Sequence, residues 1–278
     1  ANSSIGIIGG GPGGLSAAYF LSLMGHQVVV YDQRPKLGGM LRYGIPDYRL
    51  PQDKLDADID FILSTGIEVH TGVSIGRDIS FAEIENQYDA VYISIGAHND
   101  KKIGIPGEDA VGVHSAVQLL RDIGEGRVPD FKGKRVCVIG GGNVSMDATR
   151  TAIRLGASAV TCVYRRRVTD MTALAEEIEE AQSEGCQILS LQAPDHIETD
   201  ETGRVTALWT RPQVIGAYGK DGRPRPYDAD QPLLRTPCDV VIVAIGQSID
   251  AKPFEQIAPV VRGKIQAESD AFVPNTPH

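Results

Sequence analysis

The sequence predicts an α/β fold containing two Rossmann-like units, and three observations carry that reading. A short apolar strand runs into a glycine-rich turn and a helix at Gly9–Gly14. The same succession recurs at Gly140–Ser145. Each unit is followed later by an apolar strand ending in Ile-Gly, Asp89–Gly96 (DAVYISIG) and Asp239–Gly246 (DVVIVAIG). At roughly 150 residues per domain, 278 residues make about two domains.

Taken in order, Ser4–Ile8 reads as a strand, GGGPGG as a turn and Leu15–Met24 as a helix. Gln27–Tyr31 is a valine-rich strand ending at Asp32, which completes one βαβ unit. Turn formers crowd residues 34–52, which reads as a loop. Lys54–Thr65 has helical spacing, Gly66–His70 reads as a strand, Phe81–Asn86 as a short helix and Asp89–Gly96 as a buried strand. His98–Glu108, rich in Lys, Gly, Pro and Asp, reads as a linker. Then come a helix at Ala116–Ile123, a strand at Arg135–Ile139, a GGGN turn, a helix at Val144–Leu155 and a strand at Ala159–Tyr164. Thr172–Ser183 is an acidic amphipathic helix, with Glu176, Glu177, Glu179 and Glu180 expected on a solvated face. Residues 187–237 hold short β-like pieces and a loop at Gly216–Asp230.

Composition excludes several classes. The net charge of −9 argues against a nucleic-acid binder and against an anionic membrane surface. Apolar runs such as Val240–Gly246 are far shorter than the roughly 18–20 residues of a membrane span. The first strand begins by Ile5, so no secretion leader is expected. Cys137, Cys162, Cys186 and Cys238 form no C-x-x-C. That removes the ordinary zinc-ribbon, ferredoxin-type and dithiol signatures and fits reduced core cysteines of a cytoplasmic protein. No metal site is expected. Lone histidines, His70, His98, His114 and His196, are expected to have no catalytic role.

Glycine is in excess, 31 of 278 residues, and ten fall in the clusters Gly9–Gly11 with Gly13 and Gly14, Gly38–Gly39, and Gly140–Gly142. Gly9-x-Gly11-x-x-Gly14 follows a strand and opens a helix, and an acid stands at Asp32. The first glycine permits the tight turn, the second lets the backbone reach a pyrophosphate, and the third lets helix and strand pack closely. An acid about 20 residues on suits ribose hydroxyls. Gly9, Gly11, Pro12, Gly13, Gly14 and Asp32 are therefore candidates for an FAD site. In the second unit Ser145 takes the third glycine position, and the next strand runs into Tyr164-Arg165-Arg166-Arg167 instead of an acid. Losing the carboxylate and gaining guanidinium groups favours a 2′-phosphate. Gly140, Gly142, Asn143, Val144, Arg165 and Arg166 are candidates for an NADPH site. Such a pair of cofactors exchanges a hydride without a catalytic side-chain acid or base.

Gly38-Gly39-Met40-Leu41-Arg42-Tyr43-Gly44-Ile45-Pro46-Asp47-Tyr48-Arg49-Leu50-Pro51 resembles a loop of the glutamate synthase small-subunit family. That family includes the flavoprotein part of dihydropyrimidine dehydrogenase and NADPH-oxidising subunits of ferredoxin-linked bifurcating enzymes. Ile103-Gly104-Ile105-Pro106-Gly107-Glu108, Val138–Asp147 and Tyr164-Arg165-Arg166 followed by Met171-Thr172-Ala173 are similar to further family motifs. The resemblance implies two Rossmann-like domains of glutathione-reductase type, the NADPH domain inserted in the FAD domain. It divides the chain into residues 1–102 for FAD, 103–240 for NADPH, and a return to the FAD domain over 241–278. It places Gly38, Gly39, Arg42, Tyr43 and Ile45 along FAD. It implies electron transfer from NADPH through FAD to iron–sulfur centres of a partner subunit or further domain, beside a larger catalytic subunit. The alternatives are the NADPH–ferredoxin oxidoreductase subunit of a bifurcating complex, or a degenerate nucleotide-binding scaffold. A disulfide reductase is disfavoured by the missing cysteine pair. The sequence departs from the family at Thr172, where the family has Pro, and in lacking a preceding cysteine-rich domain. A further glycine-aspartate turn is expected after Gly263–Val273, so the chain reads as a piece of a longer one.

Overall fold

In the computed structural model, which describes residues 2–220, 222–268 and 273, the chain divides into two units. Ala1–Asn99 and Gln247–His278 form the first, and Asp100–Gly246 the second.

The first unit is built on β1 (Ser4–Ile8), α1 (Pro12–Leu23) and β2 (Gln27–Asp32), followed by α2 (Met40–Tyr43), α3 (Gln52–Leu63), β3 (Glu68–Thr71), α4 (Phe81–Gln87) and β4 (Ala90–Ile93). Its sheet has the order β3-β2-β1-β4 and is wholly parallel. Ile5, Ile7, Val28 and Val30 bury one face under Leu15 and Ala18 of α1 and Leu55 and Ile59 of α3. The alternate positions Ile8 and Tyr31 bury the other face with Phe81, Ile84 and Tyr88, and with Phe254 from the returning segment. Strands covered on both faces read as continuous apolar runs, which is why β1 and β2 are legible in the sequence. A capping box at Ser80 and Glu83 starts α4.

The chain passes between the units at β5 (Asn99–Asp100). The second unit continues with β6 (Val113–Ser115), α5 (Ala116–Gly124), β7 (Arg135–Ile139), α6 (Asn143–Arg154), β8 (Ala159–Tyr164), α7 (Ala175–Ser183) and β9 (Gln187–Ser190). After β10 (Gln192–Thr199), β11 (Val205–Tyr218), β12 (Pro224–Asp228) and β13 (Leu234–Pro237) comes β14 (Val240–Val243). The parallel sheet has the order β6-β14-β7-β8-β9. Val136, Val138, Val240 and Ile242 face α5 and α6, while Cys137, Ile139, Val241 and Val243 face the antiparallel sheet through Ile197, Val205 and Leu208. The short β15 (Gln247–Ser248) begins the returning segment, which carries a small hairpin of β16 (Val260–Val261) and β17 (Lys264–Ile265).

Four expectations change. β14, placed by sequence at the return from residue 241, pairs with β6 and β7, so the second unit extends to Gly246. An apolar run can belong to either sheet, and only its partners decide. Residues 187–237 form an ordered antiparallel sheet, and the Gly216–Asp230 loop is a β11–β12 hairpin with Gln213 opposite Asp228 and Ile215 opposite Pro226. Pro224 and Pro226 fit there because β12 pairs with β11 alone, and an edge strand tolerates a missing N–H. The 34–52 loop contains the turn of helix α2. The acidic helix is not simply solvated: the Arg150 guanidinium, nearly buried on α6, meets Glu177, Glu180 and, at 2.9 Å, Glu184. The expected glycine-aspartate turn lies outside the described residues.

Candidate functional site

Each parallel sheet has a point where the strand order reverses, between β1 and β4 in the first unit and between β7 and β14 in the second. Crevices at the carboxyl ends of such strands are where open α/β sheets take ligands. Both glycine turns stand there. At Gly9 φ is +108°, and an added Cβ would lie 2.1 Å from the Ser94 carbonyl oxygen, just beyond β4. At Gly140 φ is +150°, and a Cβ would lie 2.2 Å from the Ala244 carbonyl oxygen, just beyond β14. A Cβ on Gly14 would lie 1.9 Å from the Gly9 carbonyl oxygen, so helix and turn touch backbone to backbone. Ser145 keeps the corresponding place with a hydroxyl bonded to Gly142 N and Ala244 O.

Gly11 and Gly142 cap α1 and α6 without a side chain on the first-turn N–H groups. Their outward faces are open, the nearest atoms to an added Cβ being Gly39 Cα at 3.6 Å and Thr172 Oγ1 at 3.4 Å. Uncapped first-turn N–H groups beside an open glycine face suit a dinucleotide pyrophosphate. Pro12 occupies the first helical position and is exposed beside Gly13, while Val144 is half-buried against the core under α6.

Asp32 is buried at the end of β2. Its Oδ2 accepts from Gly10 N at 2.7 Å, and its Oδ1 accepts from Arg34 N at 2.7 Å. The acid therefore braces the turn it faces and keeps lone pairs for a further donor. The Gly38–Pro51 loop is tied to the same turn. Gly38 N donates to Gly10 O at 2.8 Å, and a Cβ on Gly39, at φ +52°, would lie 2.7 Å from Gly11 Cα. Arg42 is turned inward: its Nε donates to Leu37 O and its Nη1 to Gln52 Oε1, both at 2.6 Å, and its Nη2 pairs with Asp56. Its visible role is to hold the loop. The buried Tyr43 hydroxyl accepts from Lys36 N at 3.2 Å and donates to Lys36 O at 3.1 Å. Ile45 is half-buried, its N–H bonded to Met40 O.

In the second unit, residues 171–174 close over the glycine turn. Gly141 O accepts from Thr172 N and Ala173 N at 2.9 and 3.0 Å, and Asn143 Oδ1 accepts from Leu174 N at 2.9 Å. A proline at Thr172 would lack the first of these donors. The Tyr164 ring lies against Gly141, where a Cβ would come within 2.4 Å. The three arginines that follow differ. Arg165 is exposed. Arg166 is 7% exposed, its Nε donating to Pro224 O at 2.8 Å. Arg167 is bound to Asp170 through Nε at 2.7 Å and Nη2 at 2.9 Å. Sequence reading did not single out Ser94 and Ala244, whose carbonyls meet the glycine turns, or Asp170, which holds Arg167. The Ile-Gly endings of the late strands were the signal for the first two.

The cysteines are free and buried, and burial raises the Cys162 and Cys186 thiols above their ordinary value. His70 pairs with Glu68 and stacks on Tyr31, and His196 pairs with Asp195 and stacks on Trp209. Burial lowers the His114 imidazole below its usual range. Among the described residues no group of three or more His, Cys, Asp or Glu could hold a metal ion, and no helix is long and apolar enough to cross a membrane.

Residues 3–273 match the family described as pyridine nucleotide-disulphide oxidoreductase. The chain is 38% identical over 252 residues to the NADP(+)-dependent formate dehydrogenase subunit beta of Moorella thermoacetica, covering 90% of this chain and 36% of that protein. It is 34% identical over 282 residues to the glutamate synthase [NADPH] small chain of Halomonas elongata, covering 97% of this chain and 59% of that one. It thus spans from about a third to three-fifths of the length of these relatives, and the small-subunit resemblance holds along nearly all of it. The fold is shared with FprA, an oxidoreductase of Mycobacterium tuberculosis, at a TM-score of 0.84 and 19% identity over 100% of this chain and 77% of FprA. The chain belongs to the pyridine nucleotide-disulphide oxidoreductase family, enzymes that pair FAD with a nicotinamide dinucleotide.

Proposed function

We propose that this chain takes reducing equivalents from NADPH onto FAD and hands electrons to iron–sulfur centres of a partner subunit or of a domain outside this chain. One contrast supports the reading: the Asp32 carboxylate at the end of β2 braces the first glycine turn, whereas the chain beyond the end of β8 runs into Arg165 and Arg166. A carboxylate at that place repels a 2′-phosphate and accepts from ribose hydroxyls, whereas guanidinium groups bind a phosphate. Gly9, Gly11, Pro12, Gly13, Gly14 and Asp32 would hold the FAD pyrophosphate and ribose, with the loop around Gly38, Gly39, Tyr43 and Ile45 along the same cofactor. Arg42 would act by holding that loop. Gly140, Gly142, Asn143, Val144, Arg165 and Arg166 would hold NADPH.

When bound, the two cofactors supply a hydride transfer between nicotinamide and flavin. The chain's own residues bind and orient them, and no side-chain acid or base is assigned to the step. A partner is supported by the relatives, which are named a subunit beta and a small chain. Glutamate synthase is the leading setting, and the buried, free cysteines fit a cytoplasmic protein.

The test is a visible spectrum of the purified full-length protein before and after NADPH. A flavin band that bleaches on addition of NADPH supports the reading. A colourless protein that takes up neither flavin nor nucleotide leaves the scaffold alternative standing.

A further inference from the structure

β11 is longer than its partners. It pairs with β10 and β13 only as far as Pro212, and from Gln213 to Tyr218 it pairs with β12 alone, as a projecting hairpin. The hairpin is stiffened where the Tyr227 ring covers Gly216, at which a Cβ would fall 2.2 Å from the ring. It is also tied to the arginine run from both sides of the backbone. Pro224 O accepts from Arg166 Nε at 2.8 Å. Arg166 O accepts from Leu191 N at 3.0 Å, and Leu191 O accepts from Gln213 N at 2.8 Å. Leu191 holds φ +57° in making that bridge, a conformation leucine rarely adopts. The Tyr218 hydroxyl lies beside the Arg167 guanidinium, which Asp170 already grips through two donors.

Arg166 is 7% exposed as a residue, and the access it keeps includes its Nη groups. Among the described residues only Pro224 O meets it, through Nε, and no acceptor meets Nη1 or Nη2. Two guanidinium donors that keep access to solvent and lack a protein acceptor suit an anion such as a phosphate. Arg167, in contrast, is neutralised by Asp170, whose side chain is 9% exposed. The same segment reaches the second glycine turn, because Tyr164 packs on Gly141 and donates to Asp170 O at 2.9 Å.

We infer that the β11–β12 hairpin is a specificity element of the second dinucleotide site: through Pro224 and Tyr218 it fixes the arginine run so that Arg166 presents its two Nη groups to a ribose 2′-phosphate while Arg167 is withheld. Pro224 and Tyr218 are positioning residues. The inference rests on the NADPH assignment proposed above, and the test separates the two.

In the full chain, the hairpin is shortened by joining Ile215 to Pro226, which are register partners, with a two-residue Asn-Gly turn. A second variant is Tyr218→Phe, and the control is Arg166→Gln. Dissociation constants for NADPH and NADH are measured by titration, with 2′,5′-ADP against ADP as phosphate probes. The shortened hairpin is expected to lose NADPH and 2′,5′-ADP affinity at least tenfold while NADH and ADP change less than threefold. Tyr218→Phe is expected to lower the NADPH preference two- to fivefold. If Arg166→Gln removes the preference and both hairpin variants keep it, the hairpin inference is overturned and the NADPH assignment stands. If Arg166→Gln leaves the preference intact, Arg166 does not present to the phosphate and the inference is overturned; the assignment itself fails only if replacing Arg165 and Arg166 together with glutamine also leaves the preference intact. Should the shortened variant not fold, Tyr218→Phe decides: an unchanged preference overturns the inference.

Discussion

Gly39 presses its backbone against Gly11, so that a Cβ on Gly39 would lie 2.7 Å from Gly11 Cα. Two segments far apart in the chain, the first glycine turn and the Gly-Gly loop, thus form one surface. Gly38 N and Gly10 O lock it at 2.8 Å. The glycines at 38 and 39 serve this approach as much as any cofactor.

Gly39→Ala should therefore separate the loop from the turn. The residue would sit at φ +52° and ψ −133°, outside the regions an L side chain favours, at a strain of about 1–3 kcal/mol. The expected result is a lower flavin-to-protein absorbance ratio together with a lower urea midpoint. Unchanged values for both would mean that the loop does not depend on this contact.

Asp32→Ala should lower flavin retention and leave NADPH binding within about twofold. The variant loses the acceptor for Gly10 N and Arg34 N, and hydrogen bonds to a charged acceptor contribute about 1.5–3 kcal/mol each. A variant that keeps its flavin but loses NADPH would show the two sites to be exchanged.

Replacing Arg165 and Arg166 together with glutamine should weaken NADPH at least tenfold and NADH far less. Charge-assisted bonds at about 1.5–3 kcal/mol each set that scale. Equal losses for both nucleotides in a titration would reject the 2′-phosphate role.

Arg150→Met should destabilise the second unit without touching either glycine turn. The substitution leaves Glu177, with a side chain 12% exposed, facing an apolar group. The cost is about 3 kcal/mol, the low end for a broken buried pair, because Glu180 remains 57% exposed. Chemical denaturation measures it, and a change under about 0.5 kcal/mol would place the network among ordinary surface pairs.

The same network sets an acid limit. Burial pushes the Glu184 carboxyl up, but Arg154 and Arg150 outweigh that and hold it below its ordinary 4.5. A carboxylate lowered in the folded state stabilises the fold above its unfolded pKa, and that contribution is lost as pH falls through the folded value. The wild type should thus lose more stability between about pH 5 and 3 than Glu184→Gln does. Parallel pH profiles of the two proteins would refute this.

The two βαβ units, their glycine turns and the contrast between Asp32 and the arginine run were legible in the sequence alone. Each depends on local chemistry: apolar runs for strands buried on both faces, glycine where φ is positive or backbones touch, and charge type at a strand end. Tertiary structure decided what depends on partners distant in the chain. β14 could have completed either sheet, and only its pairing with β6 and β7 assigned it. The Pro- and Gly-rich stretch at 216–230 has loop composition, yet β11 runs on to Tyr218 and its free edge orders Pro224–Asp228 as a strand. Arg42 and Arg166 look like surface cations in the sequence, but packing buries both and spends Arg42 on Leu37, Gln52 and Asp56. A side chain's charge is written locally, whereas the acceptor that claims it is brought by the fold.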